Sequence, residues 1–424
     1  MVTDITKIAC SKLLRAKARG LMLLANRRFL GCSETNRTLQ SAVFNVSDKI
    51  KLWMAMATLI GTTVGAGILA LPYVISRSGF LIGLVEIITL GLASILLNLF
   101  VGEIILRTKK NYQLSGYVGK YLGPWGKHLM AFSLVIGIYG ALIAYLIGEG
   151  EVLKTVFGGN SFFYSLLFFV FAAGVVFFGI KALGKAEIVM TTLMVAAVLL
   201  LGIFSFEKIE ADNLNIINPL LLLFPYGAIL FAFMSATAIP EMKEELHGRN
   251  KLLKKAIIFG GLTPIVIYLV FSAVILGIVG PENFSLLQEN QRIATVALEI
   301  FSSGILSLLI NLFAAFSMGT AFLALGYALW MMLHRDYGIK KLLAYFIALL
   351  PPLLIFFLNL TTFISVINFI GAFIGLFNIL IILAFWQAKK KGERKPEYQL
   401  GGKFFIGGIL ILLFLMGALA LVLY

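Results

Sequence analysis

Charge is scarce in this sequence. Only 13% of its 424 residues are Asp, Glu, Lys or Arg, while 60% are hydrophobic and the mean hydropathy is +0.98. Soluble domains carry about 25% charged residues. No water-soluble core absorbs such an excess, so the chain reads as an all-α polytopic membrane protein. Cysteine is almost missing: Cys10 and Cys32 both precede the first apolar run. That excludes a disulfide framework and any CxxC metal pattern. The three histidines, His128, His247 and His334, stand far apart, so no metal site is expected. No G-x4-G-K-[ST] stretch occurs, which excludes ATP-driven pumping by this chain. Nor do His, Asp or Ser cluster at span ends as an embedded enzyme requires, and no cofactor is implied.

What is abundant is long apolar runs. A helix needs about 20 such residues to cross a bilayer. Eleven are legible, at 53–75, 80–106, 128–148, 161–180, 186–206, 218–241, 256–280, 303–333, 341–358, 361–386 and 404–424. Residues 284–302 read as a separate amphipathic segment before the eighth. With the N-terminus in the cytoplasm, all basic residues but Arg77, Lys154, Lys208 and Arg292 fall on the inner side. The net charge of +15 is therefore an orientation signal and an attraction to anionic lipid, not a nucleic-acid footprint. The C-terminus then lies outside. Residues 1–50 are basic and polar, without the apolar stretch of a signal peptide; 51–424 form the transmembrane domain.

Eleven spans divide as five, five and one: about 51–206, about 218–386, and 404–424. Because five is odd, span 6 enters from the side opposite to span 1, the condition for an inverted repeat. Both of these matching spans carry helix-breaking residues. Span 1 contains "GTTVGAGILALP" (61–72), and span 6 reads "FPYGAILFAFMSATAIPEM" (224–242). Irregular backbone at membrane depth survives only where it is buried or lines a wet cavity. Two facing breaks offer freed N–H groups to an anion and freed carbonyls to a cation. An amino acid zwitterion supplies both charges. Gly61-x3-Gly65 also fits the close-packing GxxxG pattern, which needs no ligand.

"GTTVGAGILALP" and "YGALIAYLIGEG" (139–150) resemble the first and third helices of the hydroxy/aromatic amino acid permeases. "FAF" at 231–233, followed by Pro240-Glu241-Met242, is similar to the sixth helix of the broader amino acid/auxin permease family. Both groups belong to the amino acid–polyamine–organocation superfamily. The resemblance implies a LeuT-type 5+5 inverted repeat with discontinuous helices 1 and 6, and ion-driven import of a free amino acid. It implies that Gly65, Ala66 and Gly67 present N–H groups to the carboxylate. Carbonyls near Thr62, Thr63 and Phe231 would receive the ammonium. Phe231, Phe233 and Ser235 would line the side-chain pocket, with Tyr139 or Tyr145 as lid or wall. Where the aromatic permeases have Phe-Gly-Phe-His, this chain has Phe231-Ala232-Phe233-Met234. A Met–Phe wall suits leucine, isoleucine or methionine as well as an aromatic substrate.

For the coupling ion, the same resemblance matches a sodium set to Gly61, Val64, Ala314 and Ser317. Met318 stands where a second hydroxyl is often found, and the permeases similar in span 1 are proton-driven, which favours H⁺. An ionisable group inside a span is a functional hypothesis by default. Glu86, in span 2 with no basic residue near it in sequence, is the proton candidate. Glu103 is explained by Arg107 four residues on, and Lys185 by anchoring. The expected partners are a free amino acid and the lipid bilayer of the cell membrane, without nucleic acid, ATP or an obligate protein partner. A non-transporting amino acid sensor or channel-like protein on the same fold is the alternative.

Overall fold

The computed structural model describes residues 32–302, 304–358, 362–401 and 404–423, with side chains from residue 48 onward except at 180–185, 290, 376 and 421. Most of the basic N-terminal segment (1–31) and the Lys185 side chain thus lie outside the described residues. Contacts divide the chain into Met1–Lys51 and Leu52–Tyr424; the second unit holds the features below.

Every regular element among the described residues is helical. In chain order these are α1 (Cys32–Thr63), α2 (Gly67–Ser78), α3 (Phe80–Arg107), α4 (Leu114–Phe157), α5 (Ser161–Phe177), α6 (Ile180–Ser205), α7 (Tyr226–Ala232) and α8 (Ala238–Glu245). They continue as α9 (Leu253–Val279), α10 (Pro281–Leu286), α11 (Ala294–Phe301), α12 (Ile305–Met331), α13 (Lys341–Phe357), α14 (Phe363–Lys391) and α15 (Phe404–Leu423). The short α10 and α11 are the separate segment expected before span 8.

Among the described residues, six helices are long and apolar enough to cross a membrane, and Asp48–Thr63 of α1 with α2 makes a seventh, bent by 51°. The apolar stretches of α5, α13 and α15 are shorter. The broken pair α7 and α8 has 7 and 8 residues, so length alone does not deliver the expected count of eleven. The chain is nonetheless inside out in the manner of a membrane protein. Leu81, Val85, Ile88 and Leu92, spaced along one stripe of α3, are 37–54% exposed, while Glu86, Leu90 and Asn98 are buried. A wet surface does not carry such stripes; lipid does.

Local chemistry explains the interruptions. The Thr62 and Thr63 hydroxyls donate to the carbonyls of Thr58 (2.7 Å) and Leu59 (2.6 Å). Such back-bonding bends helices, and the glycines behind it cannot resist. Pro225 caps α7, and Pro240 sits in the first turn of α8, where an amide hydrogen is dispensable. Gly123 (φ +81°), followed by Pro124, kinks α4 into a short entry rod and a long span.

Packing then fixes the breaks in space. α2 lies against α7 and α9, α14 packs along α4 and α7, and α12 along α4 and α6. Gly371 of α14 sits so close to α7 that a Cβ there would fall 1.8 Å from the Gly227 carbonyl oxygen. At one end of the bundle the basic loops interlock. Asp336 caps α4 from outside, accepting from the N–H groups of Gln113 (2.9 Å) and Gly116 (2.7 Å). Glu393 meets the Lys109 N–H (2.9 Å) and Lys120 (2.6 Å), Lys243 meets Asn111, and Arg335 meets Glu244. Glu103 pairs with Arg107 at 2.7 Å and also receives the Leu400 N–H. The loops at 107–127, 243–255, 335–341 and 389–401, which the charge pattern places on one side, thus share one face.

Candidate functional site

The two breaks meet. A Cβ on Gly67 would come within 2.7 Å of the Ala232 Cα and 3.0 Å of the Phe231 ring. Only glycine lets α2 approach the end of α7 this closely. A Cβ on Gly65 would lie 2.8 Å from the Tyr145 hydroxyl and 2.9 Å from the Ala321 side chain. The N–H groups of Gly65, Ala66 and Gly67 find no backbone acceptor among the described residues. They lie at the positive end of α2, beside Tyr145.

Facing them is a group that the motifs did not indicate. The Tyr268 hydroxyl of α9 lies 2.7 Å from the Thr63 carbonyl and 2.6 Å from the Ala232 carbonyl, the last residues of α1 and α7. Helix C-termini carry partial negative charge. Two such ends therefore converge on one phenol with a single hydrogen, which satisfies only one of them. The carbonyl turned out of α7 is that of Ala232. The Phe231 carbonyl, expected in that role, accepts the Met234 N–H at 3.0 Å.

Of the two tyrosines offered as a lid, Tyr145 is at the break. Tyr139 is not; its hydroxyl donates to the Ile347 carbonyl on α13. Six residues apart on one helix, the two point to different sides. Glu149, one turn beyond Tyr145 and only 2% exposed, is the one carboxylate inside "YGALIAYLIGEG", and sequence reasoning passed over it. Its Oε1 lies 3.9 Å from where a Gly319 Cβ would stand.

Phe233 and Ser235 belong partly to a neighbouring space. Phe233 stacks obliquely on Tyr268 with 4.9 Å between ring centres. Both residues also line a narrow cleft with Asn98, Thr237 and Asn378. Ser235 receives Asn98 Nδ2 at 2.9 Å, while Asn98 Oδ1 and Thr237 Oγ1 have no partner among the described residues. The predicted pocket side chains thus divide between the meeting of the breaks and this polar cleft.

The residues of the expected sodium set lie on α1, at its break and on α12. The hydroxyl of Thr320, three residues beyond Ser317 and two beyond Met318, lies 3.2 Å from the Gly61 carbonyl. The Ser317 hydroxyl donates to the Ala314 carbonyl at 2.9 Å, which leaves lone pairs on both oxygens. Val64 is fully buried and its N–H is bonded to Ile60. Glu86 is buried on α3 with Oε2 unpartnered, outside both the cleft lining and the contacts at the breaks among the described residues.

Three comparisons bear on this arrangement. The model of the tryptophan/tyrosine permease family matches residues 48–422. "Glutamine transporter 2" of Aliivibrio fischeri is 23% identical over 386 residues, covering 86% of this chain and 98% of that protein. "Tyrosine-specific transport system 1" of Haemophilus influenzae is 24% identical over 372 residues, covering 83% and 92%. Among solved structures, MhsT in complex with L-phenylalanine superposes with a TM-score of 0.62 at 17% identity, over 88% of this chain and 97% of that one. That likeness fixes the fold.

Proposed function

The chain belongs to the tryptophan/tyrosine permease family, and we propose that it imports a neutral amino acid, aromatic or large and hydrophobic, by proton symport. It is an integral membrane transporter and not an enzyme. The observation that carries the substrate class is the convergence at Tyr268. Thr63 O, Ala232 O and the phenol oxygen gather at one point beside the open N–H groups of Gly65–Gly67. An α-ammonium has three donors for those three oxygens, and the adjacent carboxylate faces the start of α2. Tyr145, Phe231 and Phe233 then border the side chain.

In this reading eleven spans form two inverted halves around the breaks, with the N-terminus cytoplasmic and the C-terminus outside. Alternating access moves one bundle against the other around the site. The proton is preferred to sodium because Met318, which carries no oxygen, stands where a second hydroxyl ligand would be needed. The relatives' names include both a glutamine and a tyrosine transporter; for this chain the apolar wall favours the larger apolar side chains. The test is uptake of labelled tyrosine into proteoliposomes under an imposed proton gradient or an imposed sodium gradient, competed by unlabelled amino acids. Accumulation driven by the proton gradient and competed by tyrosine, leucine or methionine is expected. Saturable binding without accumulation under either gradient would instead favour a sensor.

A further inference from the structure

We propose that Thr58, Glu187 and Glu245 form a proton-binding site that links the coupling proton to the positions of the broken helices. This rests on the proton-symport reading above. Thr58 lies on α1 before its break, Glu245 at the end of α8 after the second break, and Glu187 on unbroken α6. They are 129 and 187 residues apart in sequence, measured from Thr58.

The geometry requires a proton. The Thr58 hydroxyl oxygen is 2.8 Å from Glu187 Oε2, and 2.9 and 2.8 Å from the two oxygens of Glu245. A hydroxyl has one hydrogen to give. If it goes to one carboxylate, the contact with the other is a hydrogen bond only when that second group is a carboxylic acid donating to Thr58. Two ionised carboxylates on a single donor would otherwise face each other in a dry interior. Thr58, Glu187 and Glu245 are 1%, 1% and 6% exposed, and Glu187 Oε1 has no partner among the described residues.

The surroundings deepen the need. Glu241, one turn earlier on α8 and 2% exposed, adds a further buried carboxylate, and its Oε1 has no partner among the described residues. Tyr327 of α12, 4% exposed, lies within electrostatic range of Glu241. Glu244 is taken by Arg335, while Lys254 and Lys255 at the start of α9 are exposed. On α6 the neighbouring charges in sequence are Lys181 and Lys185, whose side chains lie outside the described residues.

With one proton shared, α1, α6 and α8 are tied through Thr58. When it leaves, the pair gains a second negative charge and repels, which favours separation of α8 from α6. The break of α8 lies at its other end, and Thr58 stands a little more than one turn before the break of α1, so proton occupancy and substrate occupancy bias the same movement, each affecting the other equally.

The experiment compares wild type, Glu187→Gln and Glu245→Gln in proteoliposomes, with Glu151→Gln, whose carboxylate pairs with Lys154 at 3.3 Å near the end of α4, as the control. Labelled tyrosine is followed in gradient-driven accumulation and in gradient-free exchange. The two central variants are expected to continue exchange, to lose accumulation to a ratio near 1, and to lose the pH dependence of uptake. The control is expected to accumulate as wild type does. Thr58→Val should move the pH midpoint and Thr58→Ser should restore it, which keeps the test open if a glutamine variant fails to insert. Wild-type pH profiles and accumulation in Glu187→Gln and Glu245→Gln, or equal loss in Glu151→Gln, would overturn the assignment. Failure of wild type to accumulate under a proton gradient would overturn the symport reading instead.

Discussion

Tyr268→Phe isolates the point where the two breaks converge. The substitution keeps the ring and its contact with Phe233, and removes only the hydroxyl between Thr63 O and Ala232 O. Two consequences follow from separate quantities. In the empty protein, a buried carbonyl loses its donor, which costs about 1–3 kcal/mol of stability. In the complex, the ammonium loses one of three acceptors. A hydrogen bond to a charged group contributes about 1.5–3 kcal/mol, so affinity should fall roughly 10- to 150-fold. Binding of labelled tyrosine to purified protein reads the second effect, and a thermal melt of the ligand-free protein reads the first. Unchanged affinity in a variant with a lowered melting temperature would refute the ammonium assignment and leave Tyr268 a structural strut. Unchanged values in both would mean that the hydroxyl satisfies neither carbonyl.

Three further perturbations reach other parts of the account. Gly65→Leu should abolish tyrosine binding while leaving membrane insertion intact, because its side chain enters the space of the Tyr145 hydroxyl; retained uptake would sink the span 1 site. Gly371→Ala forces a methyl into the Gly227 carbonyl, a backbone clash beyond ordinary overpacking, and should cost at least about 3 kcal/mol, read as loss of monodisperse protein in size-exclusion chromatography. Glu393 is held below its ordinary 4.5 by the Lys109 N–H and then by Lys120. A depressed carboxylate stabilises above its unfolded value and stops doing so as pH falls through the folded one. Protease cutting within 392–401 should therefore rise below pH 4.5, and Glu393→Gln should show that sensitivity already at neutral pH.

The two breaks were legible because Gly, Pro and back-bonding Thr act on their own backbone, so "GTTVGAGILALP" carries its bend in its own residues. Pro225 and Pro240 mark the second break in the same local way. The loop face was legible because charge is excluded from lipid and must collect at the ends. What faces the breaks was not. Tyr268 sits in an apolar run with no motif around it, and only the packing of α9 on α2 brings its hydroxyl to two chain ends. The choice between Tyr139 and Tyr145 depends on the phase of α4, which is set beyond the kink at Gly123. Glu187 and Glu245 look like span-end charges in sequence, and their shared contact with Thr58 exists only after α1, α6 and α8 have packed. Thr320 is two residues further along α12 than Met318, the position where a second hydroxyl was sought.

The most direct test of the central claim is a structure of the protein with tyrosine bound. The account predicts the ammonium among Thr63 O, Ala232 O and the Tyr268 hydroxyl, and the carboxylate on the N–H groups of Gly65, Ala66 and Gly67. A tyrosine held instead in the cleft between Asn98, Ser235 and Thr237, with the two breaks still closed on each other, would contradict it.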